Sequence, residues 1–339
     1  YKRNMPMYIY QFDVKNKTTK RIDIEFDGKT NFLSIHSFYV VGNKAAAIGQ
    51  GKNGASFILI DLQTQTATAT PIVVEGFKQR RTAPINLQYL EDANKFYLSL
   101  RVIKSRMVSF AYLVSIDLDG KMSAPQMIDE GGEKIIKSIT VGAVGSDEVA
   151  IAGTYGSTVL GPNNGIYFAS STDGNIANIN TYNFLDIPNY LDFLPERSQQ
   201  RIESKKERKA KRGKELQANQ LLVMHDLIAV DNDFLLITEA YYPTYRTETR
   251  TTYVNGKATT TTVQVFDGYQ YTHAMIAKFN AQGELIWSQV FKMYLWYKPM
   301  TARSFIRIAA KEQNSIQLVY ADGRNIYSKS FSFAGEIIN

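Results

Sequence analysis

The sequence of 339 residues contains no cysteine, and this absence excludes three kinds of chemistry. Without a thiol the chain cannot form disulfides, bind a metal through thiolates or use a cysteine nucleophile. Histidine is also scarce, and the spacing of His36, His225 and His273 matches neither HExxH nor H-x-H. The sequence therefore predicts no catalytic metal and no cofactor.

Long apolar runs are missing as well. The nearest candidate for a membrane span, Leu221–Ile237, is interrupted by three aspartates, and a span needs roughly 18 to 20 apolar residues. We therefore expect no transmembrane segment. No signal peptide is visible, and because the chain starts at Tyr1 rather than at Met we expect further residues upstream.

What the sequence does have is strand-forming residues and a repeat. It holds 21 Tyr and 18 Phe, and 44% of its residues are hydrophobic, which favours a well-packed β protein. One pattern of strand, tight turn and returning strand recurs at 8–18, 57–66, 112–122, 166–176, 275–286 and 326–337. Aligned on the turns, such as Asp119-Gly120 and Asp173-Gly174, the copies are 48, 56, 54, 109 and 52 residues apart. A period of about 50 is typical of a β-propeller.

A second, more apolar hairpin precedes five of these six copies, at 33–50, 85–102, 136–155, 221–242 and 304–322. Two hairpins make a four-stranded blade. We therefore predict an all-β fold, a single β-propeller domain over 1–339 with five complete blades in a ring of six or seven. The N-terminal hairpin, residues 8–26, has no such partner: either its inner hairpin lies upstream or its blade closes in another way.

One unit carries a family resemblance. Asp233–Thr238 followed by Ala274–Trp287, with Lys278, Phe279 and Gly283 at their positions, resembles the repeat of extracytoplasmic bacterial β-propellers. The other units mostly lack the tryptophan. The resemblance implies the fold and a periplasmic or cell-surface location, associated with the outer membrane, for a protein of the binding or scaffold type.

Two insertions interrupt this unit. The first, 191–220, has its charge in 196–216, which contains nine Lys or Arg and four Glu, a net charge of +5 out of +7 for the whole chain. Its helix formers and Glu/Lys spacing predict a helix that ends near Gly213. It is either a solvated helix or a docking element for an acidic protein or an anionic membrane surface. Nucleic acid is disfavoured, because no aromatic residue is present for base stacking.

The second insertion, 241–273, is predicted to be a long β-ribbon. Asn255-Gly256 is a strong signal for a two-residue hairpin turn, which would pair Val254 with Lys257, Thr252 with Thr259, Arg250 with Thr261 and Glu248 with Val263. Nine threonines between 244 and 262 make both faces polar. The ribbon is either a loose excursion or an arm ordered by a partner, for instance through strand addition.

Aromatic residues crowd the same unit and the loop that leaves it, where Tyr294, Trp296 and Tyr297 are the best candidates for an exposed patch. We predict partner binding, and no catalytic role, for a set of basic and aromatic residues in the insertions and this loop. They are Arg197, Arg201, Lys205, Lys206, Arg208, Lys209, Lys211, Arg212, Tyr245, Arg246, Arg250, Tyr253, Tyr294, Trp296 and Tyr297.

These observations favour a non-catalytic scaffold or binding subunit of a multi-subunit cell-envelope assembly, which docks protein partners through 195–220 and 241–273. The alternative is a glycan-recognising or glycan-cleaving propeller that uses its aromatic loops and carboxylates dispersed over several blades. An active site of that kind leaves no local motif in a sequence.

Overall fold

The computed structural model describes residues 7–27, 32–129, 132–145, 148–172, 175–255, 257–312 and 314–338. The chain is an all-β propeller with one helical insertion and one long ribbon, as predicted. It divides into two compact units, one formed by Tyr1–Gly161 and Ala169–Asn178, the other by Pro162–Phe168 and Ile179–Asn339. The predicted turns at Asp173-Gly174 and Asn255-Gly256 include residues outside the described part.

The first sheet contains six strands. They are β1 (Met7–Asp13), β2 (Thr18–Phe26), β3 (Phe32–Val41), β4 (Lys44–Gly51), β5 (Gly54–Asp61) and β6 (Thr66–Pro71), in the order β1-β2-β6-β5-β4-β3. β3–β6 form one blade. The N-terminal hairpin is not a separate sheet among the described residues, because β2 pairs in parallel with β6, Glu25 opposite Thr66. Its buried Ile22 and Ile24 pack with Ala45 and Ile58 of the blade.

Two four-stranded sheets follow. The first contains β7 (Thr82–Leu90), β8 (Lys95–Ser105), β9 (Val108–Ile116) and β10 (Gln126–Asp129), in the order β10-β9-β8-β7. The second contains β11 (Ile135–Ala143), β12 (Glu148–Gly156), β13 (Gly165–Thr172) and β14 (Asn175–Asn183), in chain order. In the first unit, Phe57 packs tilted against Phe96 at 6.0 Å between ring centroids, inside an apolar cluster with Leu98 and Val114.

The ribbon-bearing sheet comprises β15 (Leu221–Met224), β16 (Ile228–Val230), β17 (Asp233–Val254), β18 (Lys257–Phe279) and β19 (Leu285–Lys292). Its order is β15-β17-β18-β19, and β16 also pairs with β17. The last sheet contains β20 (Arg307–Glu312), β21 (Ser315–Asp322) and β22 (Asn325–Ser332), in chain order. Leu235, Ile276, Ile316 and Phe331 are among the fully buried residues of the shared core of the second unit.

The repeat residues Lys278 and Trp287 join this core to the last turn of the chain. The Lys278 ammonium pairs with Asp233 at 2.8 Å and donates to the carbonyl of Phe333, which also accepts from the Trp287 ring nitrogen at 2.9 Å. Gly335 lies against the Trp287 ring with a φ of +94°, and a Cβ there would come within 2.8 Å of the ring. The lysine and tryptophan of the repeat thus hold neighbouring sheets together, which explains their spacing.

Both predicted insertions are present. The helix α1 runs from Glu196 to Ala210 and ends, as predicted, before Gly213, whose φ is +66°. In the ribbon all four predicted residue pairs are observed, from Val254 opposite Lys257 to Glu248 opposite Val263. β17 and β18 are 22 and 23 residues long, so they belong to the blade at one end and form the free ribbon at the other.

Candidate ligand-binding site

Eight aromatic rings form a continuous row at the base of the ribbon in the second unit, which we call the aromatic band. The centroid distances along it are 6.1 Å (Tyr245–Phe266), 5.0 Å (Phe266–Tyr269), 4.9 Å (Tyr269–Tyr241), 5.4 Å (Tyr241–Tyr271), 4.9 Å (Tyr271–Phe305), 6.0 Å (Phe305–Tyr297) and 5.8 Å (Tyr297–Trp296). The two ends are exposed, with Tyr245 at 60% and Trp296 at 69%, whereas Tyr271 is buried. Exposed rings therefore stand on a buried aromatic base.

Irregularities of the β17–β18 pairing place the rings of the ribbon. The register shifts between Ala240 and Tyr241 and again between Thr244 and Tyr245. Such bulges change which face of the ribbon a side chain occupies. Tyr241 lies opposite Tyr271, and Tyr245 lies opposite Phe266, so aromatic residues from both strands meet.

The loop that carries Trp296 and Tyr297 is attached to the ribbon at Gly268. A Cβ on Gly268 would come within 2.5 Å of the carbonyl oxygen of Lys298, and the φ of Gly268 is +99°. The backbone amide of Tyr269 donates to the carbonyl of Pro299 at 2.8 Å. Asp322 accepts from the backbone amide of Trp296 at 2.9 Å. These contacts hold the exposed end of the band in place.

A fully buried carboxylate lies beneath the band. Glu239 accepts hydrogen bonds from the backbone amides of Phe305 and Ile306 at 2.9 to 3.0 Å, and His225 Nε2 lies 2.6 Å from its Oε1. Its side chain is 0% exposed. Four polar contacts compensate for the cost of removing this charge from water, and they fix the segment that carries Phe305.

The Tyr271 hydroxyl makes two hydrogen bonds with the backbone of Arg303. Its hydroxyl donates to the carbonyl of Arg303 at 2.6 Å and accepts from the amide of Arg303 at 2.9 Å. Burial, together with the nearby charge of Glu239, raises the pKa of Tyr271 to about 12, so the ring is neutral at physiological pH. The Arg303 guanidinium lies 5.1 Å from the centroid of Phe305 and 3.4 Å from the hydroxyl of Tyr297.

The acidic residues of the ribbon beside the band are paired. Asp267 pairs with Lys298 at 2.6 Å and with Arg246 at 3.5 Å, and Arg246 also pairs with Glu248 at 2.8 Å. The hydrogen bond from Lys298 is the main reason why the pKa of Asp267 is lowered. Asp226, next to His225, lies at the surface. The protein atoms around it partly desolvate its carboxyl group, and this desolvation raises the pKa of Asp226.

The structure brings together only part of the predicted site. Tyr245, Trp296 and Tyr297 belong to the band and Arg246 lies beside it. Tyr294 is exposed near its end, while Arg250, bonded to Glu248, and Tyr253 lie farther out on the ribbon. The sequence prediction missed Glu239, Arg303 and Phe305. The one available signal was Glu239, the single charged residue in the mostly apolar run Phe234–Tyr242.

The predicted basic residues of the first insertion lie on and just after α1. Lys206 pairs with Asp186 at 2.8 Å and donates to the carbonyl of Leu185, which attaches the helix to the loop before it. The others are mostly exposed; they are Arg197, Arg201, Lys205, Arg208, Lys209, Lys211 and Arg212. Their role in partner binding stays a prediction.

Two kinds of feature are absent from the described residues. They contain no group of three or more His, Asp or Glu side chains that could hold a metal ion. They also contain no helix with the length and apolar character needed to cross a membrane.

No protein-family model matches the chain, and no curated protein sequence matches it. Solved structures do. A GH43 endo-arabinanase from Bacillus licheniformis is 11% identical over 93% of this chain and 100% of its own, with a TM-score of 0.36. An α-L-arabinofuranosidase from Lactobacillus brevis is 9% identical over 88% and 91%, with a TM-score of 0.40. The propeller domain of the Trilobed protease from Pyrococcus furiosus is 9% identical over 98% and 76%, with a TM-score of 0.37.

These comparisons correct the functional prediction. The similar structures include glycoside hydrolases, which contradicts the interpretation as a non-catalytic scaffold subunit without enzymatic activity. At such identities the similarity extends to the fold, and the activities named belong to those proteins. At the level of fold the chain is a β-propeller.

Proposed function

We propose that the chain is an extracytoplasmic protein that recognises glycans through the aromatic band. The observation that carries this proposal is the row of eight rings that ends in the exposed Tyr245 and Trp296. Tyrosine and tryptophan combine a flat apolar face with a polar edge, and a sugar ring likewise has apolar C–H faces and a polar rim.

The fixed position of the rings supports binding rather than exposure alone. Glu239, Tyr271, Asp322 and Gly268 each hold part of the backbone that carries the band. Because these contacts exist before any ligand arrives, a ligand does not have to order the site. A largely pre-formed apolar surface with a few oriented polar groups is the usual composition of a small-molecule or oligosaccharide site.

The extracytoplasmic location is the part of the proposal that the repeat resemblance of 233–238 and 274–287 supports. A chain without cysteine is compatible with an oxidising compartment. Fractionation of the native cells tests this location: recovery of the protein in the cytosolic fraction contradicts it.

Binding is tested by affinity gel electrophoresis against a panel of neutral and acidic polysaccharides, followed by calorimetry with oligosaccharides of the best polymer. We expect Trp296→Ala to weaken binding about tenfold, since an exposed aromatic anchor contributes roughly 1 to 2 kcal/mol. Tyr10→Ala removes an equally exposed ring from β1 of the first unit and should leave binding unchanged. If no polymer retards the protein, or if Trp296→Ala binds like the wild type, the proposal is wrong.

Glycan cleavage is the second candidate, and Asp226 is the observation that favours it. Desolvation raises the pKa of this carboxyl, and a raised pKa is what a general acid that protonates a leaving oxygen requires. Asp226 follows His225, whose ring is bonded to Glu239 beneath the band. We expect the wild type to release reducing ends from a glycan that it binds. Asp226→Asn should abolish this release and preserve binding. No release by the wild type from any polymer that it binds contradicts this candidate.

A further inference from the structure

The charges around the aromatic band are unequally compensated. Asp267 is paired with Lys298 and Arg246, and buried Glu239 is bonded to His225 and two backbone amides. Among the described residues, by contrast, no acidic side chain pairs with the exposed Arg303. The carboxylates of Asp267 and Glu239 therefore have partners, whereas the Arg303 guanidinium has no acidic partner among the described residues.

Arg303 is held so that its charge lies on the band. Its backbone is bonded at both the amide and the carbonyl to the Tyr271 hydroxyl. Its guanidinium stacks on Phe305 and lies within hydrogen-bonding distance of Tyr297. The planar donor fork of a guanidinium matches a carboxylate in a bidentate geometry, and a ring beneath it restricts its motion.

A second arginine strengthens this positive end. Arg307, two residues beyond Phe305, donates only to uncharged oxygens, the carbonyls of Ser304 and Ile306 and the Ser304 hydroxyl. Among the described residues it too has no acidic partner, and its side chain is exposed. Two guanidiniums without an acidic partner among the described residues therefore belong to residues within two positions of Phe305 in the sequence.

We propose that the glycan recognised by the band is acidic, of the uronic acid class, and that Arg303 binds the sugar carboxylate while Tyr297 and Trp296 contact the sugar rings. This inference rests on the proposed function and names the ligand class of the same site. A neutral glycan would leave the cation without a counter-charge, whereas a uronate supplies one at the edge of a sugar ring.

The test compares matched polymers by affinity gel electrophoresis and calorimetry: polygalacturonate, glucuronan and alginate, each with its carboxyl-reduced counterpart, which keeps the sugar backbone and loses the charge. We expect at least one acidic polymer to bind about tenfold more tightly than its reduced form. Arg303→Gln should abolish that difference without weakening binding to the reduced form, and Arg303→Lys should retain part of it.

Two controls separate a specific contact from general charge attraction. Arg21→Gln removes the cation that lies 4.5 Å from the Tyr8 ring in the first unit, and Arg106→Gln removes an exposed cation from the turn between β8 and β9; neither should change the preference. Wild-type unfolding curves for all variants confirm that they are folded. Equal binding of the acidic and reduced polymers, or loss of the preference in either control, overturns the inference while glycan recognition stands. Failure of all polymers to bind overturns the proposed function itself.

Discussion

Both units place a cation over an aromatic side chain that is not fully buried, but only one leaves the charge available. In the first unit Arg21 lies over Tyr8, and its guanidinium is paired with Asp23 at 2.5 Å. In the second unit Arg303 lies over Phe305 with no acidic partner among the described residues. The same stacking contact is therefore neutral in one place and positive in the other, and an exposed ring beside a cation indicates a site only when the charge is uncompensated.

The units also differ in how their exposed rings are supported. Tyr8, Tyr10 and Phe12 lie on β1, an edge strand, where Tyr8 contacts Tyr10 and Arg21 at the exposed surface. The rings of the aromatic band are fixed by buried polar groups, Glu239 and Tyr271 above all. The second unit thus depends on buried polar contacts that can be removed one at a time. Both tryptophans, Trp287 and Trp296, belong to this unit, so tryptophan emission follows its unfolding.

The largest effect is expected for Glu239→Ala. The change leaves two backbone amides and His225 without their acceptor in a buried place, and loss of one partner of a buried charged network costs about 3 to 5 kcal/mol. The free energy of unfolding, measured in guanidinium by tryptophan emission, should fall by that amount. Glu248→Ala, on the exposed ribbon, is the control and should show no measurable change. Equal midpoints for the two variants would contradict the structural role of Glu239.

The second effect concerns acid. Burial lowers the pKa of His273 to about 3 from its ordinary value of 6.5. Between these values the unfolded chain binds a proton that the native state does not, so stability falls as the pH drops from about 6.5 towards 3. His273→Phe keeps the stacking on Phe193, whose ring centroid is 3.7 Å away. Between pH 7 and pH 4 the free energy of unfolding of this variant should fall by up to about 3 kcal/mol less than that of the wild type.

The pH comparison has a control in the first unit. Gly42→Ala changes no titratable group, so it should leave the pH dependence of unfolding as it is in the wild type. Parallel pH profiles for His273→Phe and the wild type would show that His273 is protonated in the native state.

The third effect compares two glycines and distinguishes the energetic cost of a positive φ from the cost of a steric clash. Gly42 and Gly335 both have a positive φ, but nothing lies within 4 Å of a Cβ at Gly42, whereas a Cβ at Gly335 would meet the Trp287 ring. Gly42→Ala should cost about 1 kcal/mol for the backbone alone, and Gly335→Ala about 1 to 2 kcal/mol more because the ring must move. Only Gly335→Ala should shift the native emission spectrum. Equal costs would show that Trp287 yields without strain.

The smallest effect is expected at the helix. Lys206 and Asp186 are both partly exposed, with 33% and 54% of their side chains accessible, and pairs of this kind contribute at most about 1 kcal/mol. Lys206→Gln should therefore change unfolding little and become indistinguishable from the wild type in high salt. A loss as large as that of Glu239→Ala would mean that α1 is part of the core of the second unit.

The ribbon shows where local sequence is sufficient. A two-residue turn determines the register of every pair that follows it along a hairpin, and the four predicted pairs from Val254–Lys257 to Glu248–Val263 are all observed. The same reasoning could not reach the band, since the bulges at Tyr241 and Tyr245 shift the register without a signal in the sequence.

The residues of the candidate site show where local sequence is insufficient. Tyr271 lies 32 residues before Arg303, and Glu239 lies 66 residues before Phe305, yet each pair is in hydrogen-bonding contact. Contacts of this range depend on how two sheets pack, and no local pattern encodes them. The prediction of a scaffold instead rested on the repeat resemblance and on the two insertions, 195–220 and 241–273.

By itself the sequence determined the strand-rich composition, the repeat of about 50 residues, the helix at 196–210 and the register of the ribbon, because each depends on side chains that are neighbours along the chain. Only the tertiary structure decided that Glu239 is buried, that eight rings form one row and that Arg303 has no acidic partner within the described part of the chain. Burial and charge balance are sums over atoms from different sheets, so they exist only once the chain has folded.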